Sequence, residues 1–374
     1  MKKILLTATV QSHICQFHRP LAEMLHAHGY EVHVAARDNL AEKNGLALDF
    51  VEKIYDVPFA RSPKSPDNIK AYRELKKILK KEHYDVIHCN TPMGGIVTRL
   101  AAGKTRRAGT KVFYTAHGFH FYKGAPKKNW IVFYPVEKFF SRLTDKLITI
   151  THEDYELAGK KFHCQVEHIH GVGVSTERYY PIDQNERIKR LQSEVLTGEE
   201  YVILCVGELN ANKDQKTLIS AAAQIADKIP QLKILLAGNG PLQNDLEEQI
   251  KCEGLENIVI MLGYRTDLYE ITPAVDLVVS CSHREGMPLN ILEAMLSKKP
   301  VIASVNRGHK ELIEDRKTGL LFTPGDVNGL AKRIMAVYRN PVRAGKMGEA
   351  GYQKAQAYTA EAVSEELKKI YDLD

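Results

Sequence analysis

From Asp276 to Pro300 the chain reads DLVVSCSHREGMPLNILEAMLSKKP. A short apolar strand breaks at a polar turn, Cys281 to Pro288, and then Leu289, Leu292 and Met295 recur at helical spacing. Strand, loop and helix N-terminus in that order form the unit with which an open parallel sheet presents backbone N–H groups to an anion. Two carboxylates frame the unit, Glu285 in the loop and Glu293 one turn into the helix. A carboxylate repels phosphate, whereas sugar hydroxyls are good donors to it. The stretch therefore suits a diphosphate lying between two polyols, which describes a nucleotide sugar.

The same alternation runs through the whole chain. Apolar stretches at 2 to 10, 31 to 36, 51 to 57, 85 to 88, 111 to 115, 146 to 151 and 167 to 170 are separated by helical patterns, including one expected at 17 to 28. A second series begins at 201 to 206 and continues at 233 to 237, 258 to 262, 276 to 280 and 300 to 304. With 374 residues, 44% of them hydrophobic, the chain can bury two cores. The expected fold class is α/β, with domains at 1–175 and 176–357 and an amphipathic helix at the C-terminus. Six scattered cysteines lack the close pairs of a zinc or redox motif, and a net charge of +6 is modest. No apolar run reaches membrane-spanning length, so a cytoplasmic protein is expected.

Several groups in the first half are candidates for chemistry. The turn after the first strand, Gln11 to Gln16, carries no G-x-G-x-x-G, against a dehydrogenase whose pyrophosphate would sit there. His13 and His18 fall near this sheet edge and are as often surface residues as functional ones. His117 follows a buried strand and precedes a glycine, which aims its side chain into the crevice beyond the sheet. The helix expected at 68 to 82 carries an apolar stripe (Ile69, Tyr72, Leu75, Ile78, Leu79) against Lys70, Arg73, Lys76, Lys77, Lys80 and Lys81. Such a face is either simply solvated or meets anionic lipid headgroups. Residues 119 to 140 mix Phe121, Tyr122, Trp130, Phe133 and Tyr134 with Lys127 and Lys128, the composition of an interfacial segment. Trp130, Phe133 and Tyr134 are also spaced as one helix face that could pack inward. Rings among lysines can attract nucleic acid, but no other feature resembles an RNA-binding module, and no nucleic-acid partner is expected.

The 278 to 304 stretch resembles the E-x7-E signature of retaining glycosyltransferases of family 4, with Glu285, Gly286, Pro288 and Glu293 in register with the following Pro-Val-Ile-Ala-Ser strand. Further matches are Gly207-Glu208-Leu209 with Lys213, Gly238-Asn239-Gly240, Gly263-Tyr264-Arg265, Arg307-Gly308-His309 and Thr318-Gly319. The resemblance spans the chain and is most specific from 201 to 326. It implies a GT-B fold, two Rossmann-like domains facing a central cleft, with the C-terminal helix (358–374) crossing back to the first. It implies that His117 and Glu285 act on the transferred sugar, and that Gly207, Glu208, Lys213, Gly238, Tyr264, Arg265, Gly286, Met287, Pro288, Leu289, Asn290 and Glu293 hold the donor. Glu208 occupies an arginine slot, so Glu208 is expected to orient Lys213 or Arg307 to supply the second cation.

The segments TAHGFHFYKG and SHREGMPLNILEAM are similar to those of bacterial capsule and exopolysaccharide enzymes. A UDP-hexose or UDP-N-acetylhexosamine donor and a polyprenyl-diphosphate-linked acceptor follow from that similarity. An anionic membrane surface would then be reached by Lys76, Lys77, Lys80, Lys81, Phe121, Tyr122, Lys127, Lys128 and Trp130, at the inner face of the plasma membrane. A D-x-D triplet occurs only at Asp372-Leu373-Asp374, in a tail expected to be mobile, so no metal or other cofactor is expected. A UDP-N-acetylglucosamine 2-epimerase or a non-catalytic nucleotide-sugar sensor would fit the same motifs. Donor turnover separates the sensor, and formation of the 2-epimer identifies the epimerase.

Overall fold

The computed structural model describes residues 1–42, 46–194 and 196–373. It divides into two compact units, Met1–Gly173 with Ala360–Asp374, and Val174–Thr359. The sequence had suggested breaks two residues later and two residues earlier, respectively.

In the first unit seven strands, β1 (Lys2–Val10), β2 (Tyr30–Arg37), β3 (Lys53–Asp56), β4 (Val86–Asn90), β5 (Lys111–Ala116), β6 (Lys146–Thr149) and β7 (Gln165–His168), lie in the order β3-β2-β1-β4-β5-β6-β7. Every pairing is parallel. Ile4, Leu5 and Leu6 are fully buried, which is why β1 is apolar on both faces instead of alternating. The helices are α1 (Gln11–Phe17), α2 (Arg19–Ala27), α3 (Asp67–Lys81), α4 (Pro92–Ala101), α5 (Gly103–Arg107), α6 (Lys127–Phe140) and α7 (His152–Lys161).

The helix expected at 17 to 28 is present as α2, but the turn expected at 11 to 16 is instead helical. The chain enters α1 directly from β1 and breaks at His18. Pro20 explains the break, because its ring would clash with the carbonyl of Gln16 in a continuous helix. In α3 the inward residues are Asn68, Ala71, Leu75 and Leu79. Ile69, placed in the apolar stripe, is 58% exposed instead. Asn68 takes the inward slot because its amide binds backbone on both sides, accepting from Ala60 N (3.0 Å) and donating to Ser62 O (2.9 Å).

Helix α6 is fixed by a buried ion pair. Arg99 of α4, 1% exposed, reaches Glu137 at 3.1 Å and lies over the Tyr114 ring at 4.0 Å. Removing one partner of such a pair typically costs about 3–5 kcal/mol. With Glu137 and Phe140 turned inward, Ile131, Val132, Val136 and Phe139 face outward.

The second unit contains β8 (Tyr201–Val206), β9 (Leu232–Ala237), β10 (Val259–Gly263), β11 (Leu277–Ser280), β12 (Val301–Ser304) and β13 (Leu320–Phe322), in the order β10-β9-β8-β11-β12-β13. All pairings are parallel. Its helices are α8 (Gln184–Ser193), α9 (Gln215–Ala223), α10 (Gln243–Cys252), α11 (Leu268–Ile271), α12 (Leu289–Leu296), α13 (Arg307–Leu312), α14 (Val327–Tyr338) and α15 (Pro341–Ala355). Apolar clusters cover both faces of this sheet.

The last helix, α16 (Ala360–Ile370), belongs to the first unit and packs on α2. Contrary to the expectation of a mobile tail, the chain just beyond it is pinned. The buried Tyr371 hydroxyl bonds His88 Nδ1 at 2.5 Å, and Asp372 pairs with Lys146 at 3.1 Å. Asp374, the third residue of the D-x-D triplet, lies outside the described residues. Among the described residues no helix is long and apolar enough to cross a membrane.

Candidate active site

In each sheet the strand order reverses once, between β1 and β4 in the first unit and between β8 and β11 in the second. Loops after the carboxyl ends of these strands are where open α/β sheets bind ligands. Lys213 and Glu285 follow β8 and β11 at the switch in the second unit, and His13 and Asn90 follow β1 or end β4 at the switch in the first.

In the second unit the loop after β8 (207 to 214) and the loop after β11 (281 to 288) are laced together. His283 N donates to Asn212 O at 2.7 Å, and Asn212 Nδ2 donates to Arg284 O at 3.0 Å. This lacing brings Lys213 Nζ to 2.5 Å from Glu285 Oε1, with the two side chains 24% and 14% exposed. Glu208 does not orient Lys213 as expected; its carboxylate accepts from Asn210 Nδ2 at 3.0 Å. Gly308 explains how α13 approaches so closely, since a Cβ there would stand 2.5 Å from Gly286 O and 2.8 Å from Glu285 Cβ. Beside it His309 is buried, its Nδ1 donating to Ser304 O at 2.6 Å, and burial lowers its pKa.

The floor of this site is formed by strand-end turns. Gly238 N donates to Gly263 O at 2.7 Å, and a Cβ on Gly238, whose φ is +147°, would overlap Gly207 O at 2.0 Å. Arg265 is saturated by Glu194 (2.7 and 2.8 Å) and Asp267 (two contacts of 2.7 Å), so its guanidinium braces the turn. The neighbouring Tyr264 stands 44% exposed. Met287 and Leu289 pack on the core edge, Pro288 is the N-cap of α12, and Asn290 Nδ2 reaches Val206 O at 3.3 Å. Glu293 accepts a hydrogen bond from Tyr179, yet burial dominates and pushes its carboxyl up to about 7. Tyr179 lies in the segment leading into the unit, and no motif in the sequence singled it out.

In the first unit His117 follows β5, as expected. Its Nε2 lies 3.2 Å from Asn90 Oδ1 and 3.3 Å from His13 Nε2. The His13 and His117 rings meet edge to face at 4.6 Å, and the His18 ring is 5.4 and 5.8 Å from them. His88, from β4, completes the group, with Nδ1 on Tyr371 and Nε2 on Thr115 Oγ1 at 2.7 Å. Burial lowers all four pKa values, His117 to about 4 and His88 to about 3, so the cluster is uncharged near neutrality. Thr91, next to Asn90, holds φ +62° and ψ +150°, a strained conformation for a β-branched residue. Its hydroxyl is locked 2.7 Å from Thr9 Oγ1.

The residues assigned to a membrane or acceptor surface separate into two groups. Lys76, Lys77, Lys80, Lys81, Lys127 and Lys128 are exposed. Phe121 is fully buried, stacked on Phe119 at 4.8 Å, and cannot serve that surface. Trp130 is half-buried, packs 5.5 Å from Phe121 and donates to Tyr122 O at 3.2 Å. An interior slot suits Phe121 because Trp130 and Tyr134 both close over it. Phe133 does not share their inward face; it is 38% exposed.

Two parallel sheets with switch-point loops carrying these residues define an α/β protein of GT-B type, and solved structures agree on the fold. Anabaena HepE, in complex with UDP and glucose, matches over 100% of both chains with a TM-score of 0.78 at 24% identity. Sucrose-phosphate synthase from Thermosynechococcus elongatus matches over 100% of this chain and 98% of that one, with a TM-score of 0.80 at 22% identity. Residues 19–177 match the model for Glycosyltransferase Family 4, and residues 186–354 that for Glycosyl transferases group 1. The Bacillus subtilis (strain 168) protein named "Putative glycosyltransferase EpsD" is 41% identical over 99% of this chain and 96% of its own length. The Escherichia coli protein named UDP-Gal:alpha-D-GlcNAc-diphosphoundecaprenol alpha-1,3-galactosyltransferase is 30% identical over 80% of this chain and 79% of its own. The chain belongs to glycosyltransferase family 4 and is a glycosyltransferase.

Proposed function

We propose that this enzyme transfers a hexose or N-acetylhexosamine from a UDP-sugar, with retention, to a polyprenyl-diphosphate-linked saccharide during capsule or exopolysaccharide synthesis. The observation that carries the reading is the Lys213–Glu285 contact at 2.5 Å, a cation suited to the diphosphate paired with a carboxylate suited to sugar hydroxyls. The donor and acceptor classes are supported by the words UDP-Gal and diphosphoundecaprenol in the name of the Escherichia coli relative.

In this reading the second unit holds the donor and the first the acceptor. Glu293 takes the ribose hydroxyls and Glu285 those of the transferred sugar. The bond from the sugar's C1 to the diphosphate breaks while the acceptor oxygen bonds to C1 on the same face. The acceptor proton passes to the departing diphosphate oxygen. Lys213 and the N-termini of α9 and α12 offset the charge that develops there, in place of a metal. His117, whose pKa burial lowers to about 4, is assigned the role of a neutral hydrogen-bonding partner of the transferred sugar. Because the polyprenyl chain stays in the bilayer, the enzyme works as a peripheral protein at the inner membrane face.

The test is a thermal-shift panel of nucleotides and nucleotide sugars, followed by a transfer assay with and without EDTA. A donor at about 100 times its dissociation constant stabilises by roughly 2.7 kcal/mol. UDP and one UDP-sugar are expected to stabilise, and transfer is expected to persist in EDTA. Stabilisation by no uridine nucleotide, or activity that requires added Mn²⁺ or Mg²⁺, would overturn the corresponding part.

A further inference from the structure

We propose that His13, His18 and His117 form a binding site for a divalent transition-metal ion of the zinc type, and that filling it takes His117 out of the transfer reaction. The second half rests on the role given to His117 above; the first does not.

Three ring nitrogens, one from each residue, all lie within 4.8 Å of one another. The 3.3 Å between His13 Nε2 and His117 Nε2 is the more telling distance. Two imidazole nitrogens on one tetrahedral zinc, each about 2.0–2.1 Å from it, are separated by roughly 3.3–3.4 Å. The pair already has the spacing of a tetrahedral edge. The third residue supplies an independent sign: His18 is 4% exposed, and its Nε2 has no hydrogen-bond partner among the described residues. A buried imidazole nitrogen left unpaired is costly unless something binds it.

Other features of the cluster agree. His88 is excluded as a ligand because Tyr371 and Thr115 occupy both its nitrogens, so the site has three protein ligands and one open position. Three histidines plus an open position is a donor set that zinc accepts. His117 Nε2 carries the proton it donates to Asn90 Oδ1, so a metal enters only as that proton moves to Nδ1. Arg61 is close enough to act on His13, and its positive charge weakens the site relative to one with a carboxylate. The competing occupant is water. A cavity of about 20 Å³ lined by His18, His88 and Thr115 has room for about one molecule.

A metal on His117 Nε2 would replace the N–H that donates to Asn90 Oδ1 and leave that nitrogen no proton to offer the sugar. It would therefore inhibit, and EDTA would relieve the inhibition. The experiment uses untagged full-length enzyme stripped with EDTA and then freed of it. It is titrated with Co²⁺ by visible absorption and with Zn²⁺ against a chromophoric chelator. One equivalent is expected to bind with micromolar or tighter affinity, with a tetrahedral cobalt spectrum. Affinity should fall at least thirtyfold in His18→Gln and in His13→Gln, and stay unchanged in His83→Gln, an exposed control. Thermal melts check folding, and the half-buried His13 keeps the test sound if the His18 variant misfolds.

Absence of stoichiometric uptake, or uptake unchanged in both variants, overturns the site and leaves water as the partner of His18. Uptake without at least a tenfold, EDTA-reversible loss of donor turnover overturns the inhibitory half. A wrong donor assignment shows itself separately, as failure to bind UDP whatever the metal does.

Discussion

The two sheets of this enzyme end in sites of opposite electrical character. The first gathers imidazoles that burial keeps neutral, and the second gathers Lys213, Glu285 and Glu293. The same parallel scaffold makes both, because a switch point fixes where loops converge but not what they carry. The second site suits a substrate whose leaving group gains charge. The first suits one whose hydroxyl must be positioned without strong charge beside it.

The largest expected effect tests whether charge in the second unit drives turnover. Lys213→Ala should lower kcat/KM by about 10²–10³, the usual loss when one preorganised electrostatic partner is removed. Under the proposed role of Glu285 on the transferred sugar, Glu285→Gln should lower kcat by a similar factor with little change in KM. Losses below tenfold in both would mean that their 2.5 Å contact is merely structural.

Acid should separate the units themselves. In the first, His88 and His117 have folded pKa values of about 3 and 4, below the usual 6.5, so the unfolded chain binds more protons between those limits. Their contribution is intact above pH 6.5 and is lost as pH falls toward 4, on the order of 3 kcal/mol or more for the pair. Glu293 in the second unit works the other way. Its carboxyl, raised to about 7 from 4.5, favours the folded state as pH falls through that window. Hydrogen exchange, corrected for intrinsic rates, should show Ile4 to Leu6 losing protection between pH 7 and 5 well before Ile203 and Leu204. Equal loss in the two sheets would remove the contrast.

A smaller effect, about tenfold, is expected at the nucleotide. If ionised Glu293 receives the ribose hydroxyls, UDP affinity should rise as pH passes upward through about 7, with release of a proton. Glu293→Ala should weaken UDP about tenfold, and Glu293→Gln should flatten the pH profile. A UDP affinity independent of pH in the wild-type chain would place Glu293 away from the ribose.

How much of this was legible in the sequence differs between the units for a physical reason. In the second, Glu285 through Glu293 are consecutive residues of one strand–loop–helix unit, so their spacing already states their geometry. Lys213 could be placed only through family resemblance, and Tyr179 not at all, because its contact with Glu293 depends on how the connecting segment folds. In the first unit the four histidines come from α1, its junction with α2, β4 and the end of β5. Only the strand order 2-1-4-5 makes them neighbours, and spacing along the chain does not encode it. The aromatic segment was read correctly only in part: helical spacing gave the inward face of Trp130 and Tyr134, but composition could not show that Phe121 lies beneath them.

The smallest effect per side chain concerns the membrane, where two surfaces of the first unit can be set against each other. Helix α3 offers Lys76, Lys77, Lys80 and Lys81, all exposed, while α6 offers Ile131 at 74%, Val132 at 56% and Phe139 at 55% exposure, preceded by Lys127 and Lys128. Each lysine near an anionic surface contributes roughly 1 kcal/mol and is screened by salt, whereas apolar side chains entering the interface are insensitive to salt. Pelleting with anionic vesicles at low salt should therefore greatly exceed that with neutral ones, and reversing the four α3 lysines to Glu should largely abolish the excess. Ile131→Ser with Phe139→Ser should leave the low-salt excess in place but reduce the fraction that survives high salt about threefold. Neither side chain is held by the Arg99–Glu137 pair that anchors α6, so the double variant should melt with the wild type. If the serine variant lost the salt-sensitive part instead, or if the α3 reversals changed nothing, the assignment of charge to one helix and apolar insertion to the other would be wrong, and the acceptor would have to be reached through another face.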